Sequence, residues 1–244
     1  MEPSATAPEY VAIIVPARNE EQLIGRSLSS IARARYNCLR DLGTRAPKFS
    51  TIVVADGCSD NTVSIARRFD VTVLETPAIG VGAARAIGAT EALARSRADA
   101  SRIWLANTDA DSRVHNRWVL EQVEWAAAGA DIYIGDVRPD FEDLSIQQRN
   151  AWAATHRPGQ VRGHVHGASL GIRASAYRAI GGFDQIELGE DVELVAAARA
   201  AGFSVALSAT EVLTSGRRVA RALGGYSRYL TDLVEPEAAP QLGV

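Results

Sequence analysis

A recurring couplet constrains this chain more than any other feature: a strand-length apolar run followed at once by a helical stretch. Y-V-A-I-I-V-P (10–16) shows no alternation of polar and apolar residues. A strand with one wet face would alternate, so an unbroken, β-branched run reads as a strand covered on both faces. T-I-V-V-A-D (51–56), V-T-V-L (71–74) and R-I-W-L-A-N (102–107) repeat the pattern. Helices are expected from Asn19 and near 60–69, 82–95 and 116–128. At the first, Asn19 followed by Gln22 reads as a variant capping box, with Leu23, Ser27, Leu28 and Ile31 continuing a helical stripe. This alternation predicts an α/β fold, a Rossmann-like, mostly parallel sheet with helices on both faces. Ligands of such sheets lie beyond the carboxyl ends of the strands, so the residues just after each strand are the first candidates for function.

The second half is less regular. D-I-Y-I-G-D-V (131–137) reads as a strand, 143–156 as a polar, lid-like helix, and H-G-A-S-L-G-I (166–172) as a strand entering a helix over 174–180. A helix over 189–202 has acids in its first turn and Gly202 as its stop. Flexible ends are expected at 1–9 and 235–244. No repeat or linker divides the rest, and 244 residues suit a single α/β domain over 10–234. With 26 Lys plus Arg against 29 Asp plus Glu, the chain lacks the basic surface that nucleic-acid binding needs. Cys38 and Cys58 are too few for a disulfide framework; a single bridge stays open, with reduced thiols in a cytoplasmic protein the simpler reading. Residues 1–9 have no signal-peptide pattern, and no apolar run approaches a membrane span.

Asn107-Thr108-Asp109-Ala110-Asp111-Ser112 follows the fourth strand. Its two carboxylates suit a hard divalent cation such as Mg²⁺ or Mn²⁺ that keeps positions open for substrate phosphates, or they are turn residues bonded to their own backbone. Of Glu190, Asp191 and Glu193, one could enter a cleft as a general base, or all three could merely complement a helix dipole. Asp56 ends the second strand, and Ser59-Asp60-Asn61 already supply helix caps, which frees Asp56 for a ligand. G-V-G-A-A-R (80–85) puts Arg85 where a dinucleotide fingerprint has its third glycine, which argues against such a site. His164 and His166 would share one face of a strand, as metal ligands or as a hydrogen-bonded structural pair. Arg217 and Arg218, after Thr214-Ser215-Gly216, are either solvated or brought to a diphosphate by a glycine hinge. Trp104, Trp118, Trp125 and Trp152 read as core or lid packing, with at most one or two as sugar platforms.

Taken together, V-P-A-R-N-E-E (15–21), V-V-A-D-G-C-S-D-N-T (53–62), N-T-D-A-D (107–111), G-A-S-L-G-I-R (167–173), G-G-F-D (181–184) and G-E-D-V-E-L (189–194) resemble, in order and spacing, the family 2 glycosyltransferases of GT-A fold. The resemblance spans 10 to about 215 and implies a nucleotide-binding half at 10–111 and an acceptor and catalytic half at 112–234. By it, Pro16, Ala17, Arg18 and Glu20 wrap the nucleoside and Asp56 contacts the base. Asp109 faces the ribose and cation, Asp111 is the principal metal ligand, Asp191 is the catalytic base, and Gly167 and Ala168 line the donor-sugar and acceptor region. The chain departs from the family at Val81, where Lys is common, and at Ala86, where Asn is. Arg85, one helical turn after Val81, could supply the missing cation. The Q-x-x-R-W signature of processive synthases is absent. The implied activity is metal-dependent, inverting transfer of one sugar from a nucleotide-diphosphate sugar, UDP-linked by default, to a hydroxyl acceptor, with homodimerisation left open. The rivals are a sugar-phosphate nucleotidyltransferase and a non-catalytic nucleotide-sugar-binding module.

Overall fold

A computed structural model describes residues 7–156, 163–184 and 189–217. Its strands are β1 (Tyr10–Ala17), β2 (Lys48–Asp56), β3 (Thr72–Thr76), β4 (Ile103–Asn107), β5 (Ile132–Pro139), β6 (Leu170–Arg173) and β7 (Val205–Thr214). The helices are α1 (Ile24–Leu42), α2 (Thr62–Ala66), α3 (Val81–Arg95), α4 (Trp118–Ala127), α5 (Ile146–Thr155), α6 (Ala174–Ala179) and α7 (Glu190–Ala200). One sheet runs in the order β3-β2-β1-β4-β6-β5-β7. Pairing is parallel from β3 through β4, while β6 lies antiparallel between β4 and β5, and β7 returns parallel to β5.

The unbroken apolar run of β1 is used on both faces. Val11, Ile13, Val15 and Ala17 pack with α1, α2 and α4, while Tyr10, Ala12 and Ile14 pack with α3, α6 and α7. The mostly parallel α/β sheet expected from the sequence is therefore present as one domain with helices on both faces. α3 lies close enough that a Cβ on Gly88 would meet Ile14 Cγ2 at 2.5 Å, so glycine sets how near that helix approaches. Trp104 and Trp118 are core side chains, their indole N–H groups donating to Gln122 Oε1 at 2.8 Å and Ser169 Oγ at 3.1 Å. Trp152 is buried and stacks on His156, whereas Trp125 is exposed.

Four local expectations are corrected. Asn19 is no helix cap: it sits at φ +54°, its side chain accepts from Ser59 N–H at 2.8 Å, and α1 starts only at Ile24. Residues 163–166 precede a tight turn at 167–169 and are outside β6, so His164 and His166 owe nothing to strand periodicity. β7 was not expected, because its face alternates (Ala206, Ser208 and Val212 inward) without the apolar run that marks the earlier strands. Residues 7–9 are tied down: Glu9 N–H donates to Arg102 O at 2.8 Å, and Arg102 Nε donates to Ala7 O at 3.3 Å. Residues 1–6 and 218–244, which hold the rest of the expected flexible ends, lie outside the described residues.

Candidate active site

The carboxyl ends of β1, β2 and β4 form one rim of the site, and the main chain shapes the side where a nucleotide is expected. Gly57, at φ +61°, packs so closely under Ala78 that a Cβ there would come within 2.8 Å of it. That contact brings the 79–80 loop over β2, where the buried Asp56 carboxylate accepts the N–H groups of Ile79 at 2.6 Å and Gly80 at 3.2 Å. The ligand-facing role expected of Asp56 thus meets a carboxylate already engaged by its own fold. Arg18, half exposed, stands 4.0 Å from it. Pro16 and Ala17 are buried, leaving their main chain at the rim. The loops after β1 and β2 are laced together: Glu20 N–H to Thr62 Oγ1 at 2.7 Å, Glu21 N–H to Asp60 at 3.0 Å, and Asn61 N–H to Glu21 at 3.0 Å.

After β4 the chain turns sharply, Ser112 N–H donating to Asp109 O at 3.1 Å and Ser27 Oγ donating to the same oxygen at 3.1 Å. The turn reading of this segment therefore holds for its backbone, while its side chains diverge to two arginines. Asp109 Oδ1 accepts from Arg85 at 2.7 Å, and Asp111 Oδ2 accepts from Arg217 at 3.0 Å. Burial, and then the neighbouring Asp109 charge, push the Asp111 carboxyl up to about 7, against the pull of Arg217. A group so placed is eased by a positive charge. No cluster of three or more His, Cys, Asp or Glu side chains suited to a metal occurs among the described residues. Two carboxylates with few other protein ligands fit a cation that completes its shell with water and substrate phosphate.

Arg217 spans the site: its two Nη atoms grip Glu20 at 2.8 and 2.5 Å while one also holds Asp111. Glu20, expected to wrap a nucleoside, is buried against this guanidinium. Arg218 lies outside the described residues. Arg85 corrects another expectation. Its side chain is only 3% exposed and lies between Asp109 and Glu190, so it presents no cation to a donor in the cleft.

Asp191 occupies the first turn of α7. Its Oδ2 accepts Gly167 N–H at 2.6 Å and its Oδ1 accepts Val192 N–H at 2.8 Å, which fixes the carboxylate toward the turn before β6. Gly167 and Ala168 are both buried; Ala168 packs in the core, and Gly167 bonds Asp191 through its N–H. His166 is half-buried beside this group: burial pulls its pKa down, opposed by the Asp191 charge. The His164 and His166 rings meet edge to face with centroids 6.4 Å apart. Glu193 is exposed. Sequence reasoning missed Glu190 as a partner; its only signal was a neighbouring acid at a helix start.

A family model described as glycosyl transferase family 2 matches residues 12–180. Among solved structures, the mannosyltransferase PcManGT from Pyrobaculum calidifontis, in complex with GDP-Man and Mn²⁺, is 21% identical with a TM-score of 0.60 over 88% of this chain. S. aureus TarS is 15% identical with a TM-score of 0.58 over 82% of this chain. M. tuberculosis glucosyl-3-phosphoglycerate synthase is 15% identical with a TM-score of 0.52, covering 93% of this chain and 77% of its own. The chain spans 36% of TarS and 60% of PcManGT. At these identities the likeness is one of fold. No curated protein matches the chain.

Proposed function

The chain belongs to glycosyl transferase family 2 and is a glycosyltransferase, and from that premise we propose that it moves one sugar from a nucleotide-diphosphate sugar to a hydroxyl acceptor with inversion at the anomeric carbon. The observation that carries this reading is the meeting, in one charged cluster, of the carboxylates after β4 with the start of α7, 80 residues on, where Asp191 stands fixed by Gly167 N–H. The rim formed by Arg18, Asp56 and the 79–80 loop receives the nucleoside. Asp111 would hold a divalent cation, with Asp109 beside it. Such a cation supplies neutralisation of charge on the departing diphosphate. Arg217, already at Asp111, adds a guanidinium for the phosphate oxygens. Asp191 accepts one N–H at each oxygen and keeps further lone pairs, so it can take the acceptor hydroxyl's proton as that oxygen attacks.

Solved structures of this fold include complexes with GDP-Man and Mn²⁺ and with UDP and Mn²⁺, which supports a cation-assisted nucleotide-sugar donor; UDP is our default. A nucleotidyltransferase would want a glycine-rich loop after β1 for a triphosphate, and P-A-R-N-E-E (16–21) has no glycine. We place the enzyme in the cytoplasm, a reading supported by two free thiols, of which Cys38 is buried and pushed up to about 12 by that burial. No helix among the described residues is long and apolar enough to cross a membrane. Incubating the protein with a panel of nucleotide sugars and Mn²⁺ tests the reading. Release of free nucleoside diphosphate supports it, and release of pyrophosphate from a nucleoside triphosphate would replace it with nucleotidyl transfer. Nucleotide binding with no product from any donor would leave a binding module.

A further inference from the structure

We infer that Arg85 is a positioning residue: buried between Asp109 and Glu190, it locks the carboxylates after β4 and the base-bearing end of α7 into one geometry. What those groups do rests on the glycosyltransferase reading; how they are held does not. Arg85 Nη2 donates to Asp109 Oδ1 at 2.7 Å and Nη1 donates to Glu190, whose side chain is 5% exposed. Burial raises the Glu190 pKa and the Arg85 charge draws it back. Burying a guanidinium with carboxylates gains little stability over well-packed apolar residues, because desolvation offsets the attraction. The placement therefore calls for a reason other than folding energy.

The surrounding backbone is cut to fit this strut. Gly167, whose N–H holds Asp191, lies so close to the guanidinium that a Cβ at 167 would overlap its Cζ and both Nη atoms. Gly82, nearly one turn before Arg85 on α3, faces the other side: a Cβ there would lie 2.7 Å from Asp184 O and 3.2 Å from Glu190 Cβ. One side chain thus joins four parts of the site: α3, the turn after β4, the first residue of α7, and the glycine that bonds the base. Arg85 Nε is buried without a partner, so both carboxylates are gripped through the Nη atoms alone. A lysine offers a single ammonium where the guanidinium offers a rigid fork, and cannot reproduce that double grip.

The test uses Arg85→Lys, Arg85→Met and Gly167→Ala in the full chain, with the double variant Arg85→Met/Glu190→Leu as the form that leaves Glu190's buried charge out and so keeps the fold. Exchange of the residue-167 amide proton, followed by NMR in the free protein, is expected to speed up about tenfold or more in each Arg85 variant and in Gly167→Ala, where the added Cβ displaces the guanidinium. The UDP dissociation constant, measured calorimetrically without cation, is expected to stay within about threefold of the parent. The Mn²⁺ concentration for half-maximal activity rises and kcat falls, each by about 10–100-fold, with lysine giving little rescue. Loss of cation-free UDP binding by about tenfold or more with parental Gly167 exchange would make Arg85 a donor ligand and overturn the inference. Parental exchange and turnover in every variant would overturn it too. The exchange readout needs no nucleotide, so a protein that fails to bind any nucleoside diphosphate yet shows faster Gly167 exchange in Arg85→Met keeps the strut and loses the functional reading.

Discussion

The two halves of the site are held in different ways. On the side proposed to take the nucleotide, Asp56, Asp60 and Glu21 are all engaged by main-chain N–H groups from loops that follow adjacent parallel strands. On the side proposed as catalytic, main-chain N–H groups hold Asp191, and arginines that cross the molecule tie the rest together: Arg85 to Asp109 and Glu190, and Arg217 to Glu20 and Asp111. A rim built from backbone is specified by the turns themselves. A cluster built from distant side chains exists only when the whole sheet is complete, including the antiparallel β6 that carries the turn with Gly167 to α7. The first arrangement gives a preformed groove, and the second joins the base to the carboxylates.

Four substitutions sharpen or break this contrast. Ile14→Ala, in the fully buried centre of β1, removes a contact that both halves share and is expected to destabilise the protein by about 2–5 kcal/mol in urea unfolding, with loss of both functions together. Asp56→Ala leaves two loop N–H groups without their acceptor. We expect a cost of about 1–3 kcal/mol and weaker nucleotide binding, with the catalytic side unmoved as judged by Gly167 amide exchange. If that exchange changed as much as in Arg85→Met, the two halves would not be separately held.

Asp111 gives a pH-dependent test in the presence of a chelator. Its folded pKa near 7 lies above the ordinary value, so the folded state binds this proton more tightly than the unfolded chain does. Its contribution is fully favourable below the unfolded pKa and is lost as pH rises from about 4 through 7. Melting temperature should fall across that window for the parent and less so for Asp111→Asn, which at pH 8 should melt about 2–4 °C higher for each kcal/mol relieved. Adding Mn²⁺ should flatten the parental slope. The smallest effect belongs to Arg67→Ala: its pair with Glu75 is exposed on both sides, so its loss should shift unfolding by no more than about 0.5 kcal/mol.

What was legible in the sequence follows the same divide. The β1, β2 and β4 runs announced doubly covered strands because both faces of each are buried, and the residues after them stand together at one edge of the sheet. β7 and the role of Glu190 were not legible. β7 alternates like a strand with one open face and pairs with β5 residues more than 70 positions earlier, as in Ile132 with Val205. Glu190 looks like any acid in a first helical turn, and nothing local distinguishes it from the exposed Glu193. Arg85 was read as a donor cation because helical spacing gives a face and says nothing of which other chain segments will close over it. Asn19 misled for a related reason: its side chain serves the loop after β2, 40 residues on, in place of its own helix.

If the loop-built rim and the fixed Asp191 act together as an inverting sugar transferase, as we propose, Asp191→Asn separates nucleotide binding from turnover. With a donor that the parent turns over, the variant is expected to keep nucleotide affinity within about threefold of the parent and to release nucleoside diphosphate about 10²–10⁴-fold more slowly. Near-parental turnover by Asp191→Asn would contradict it.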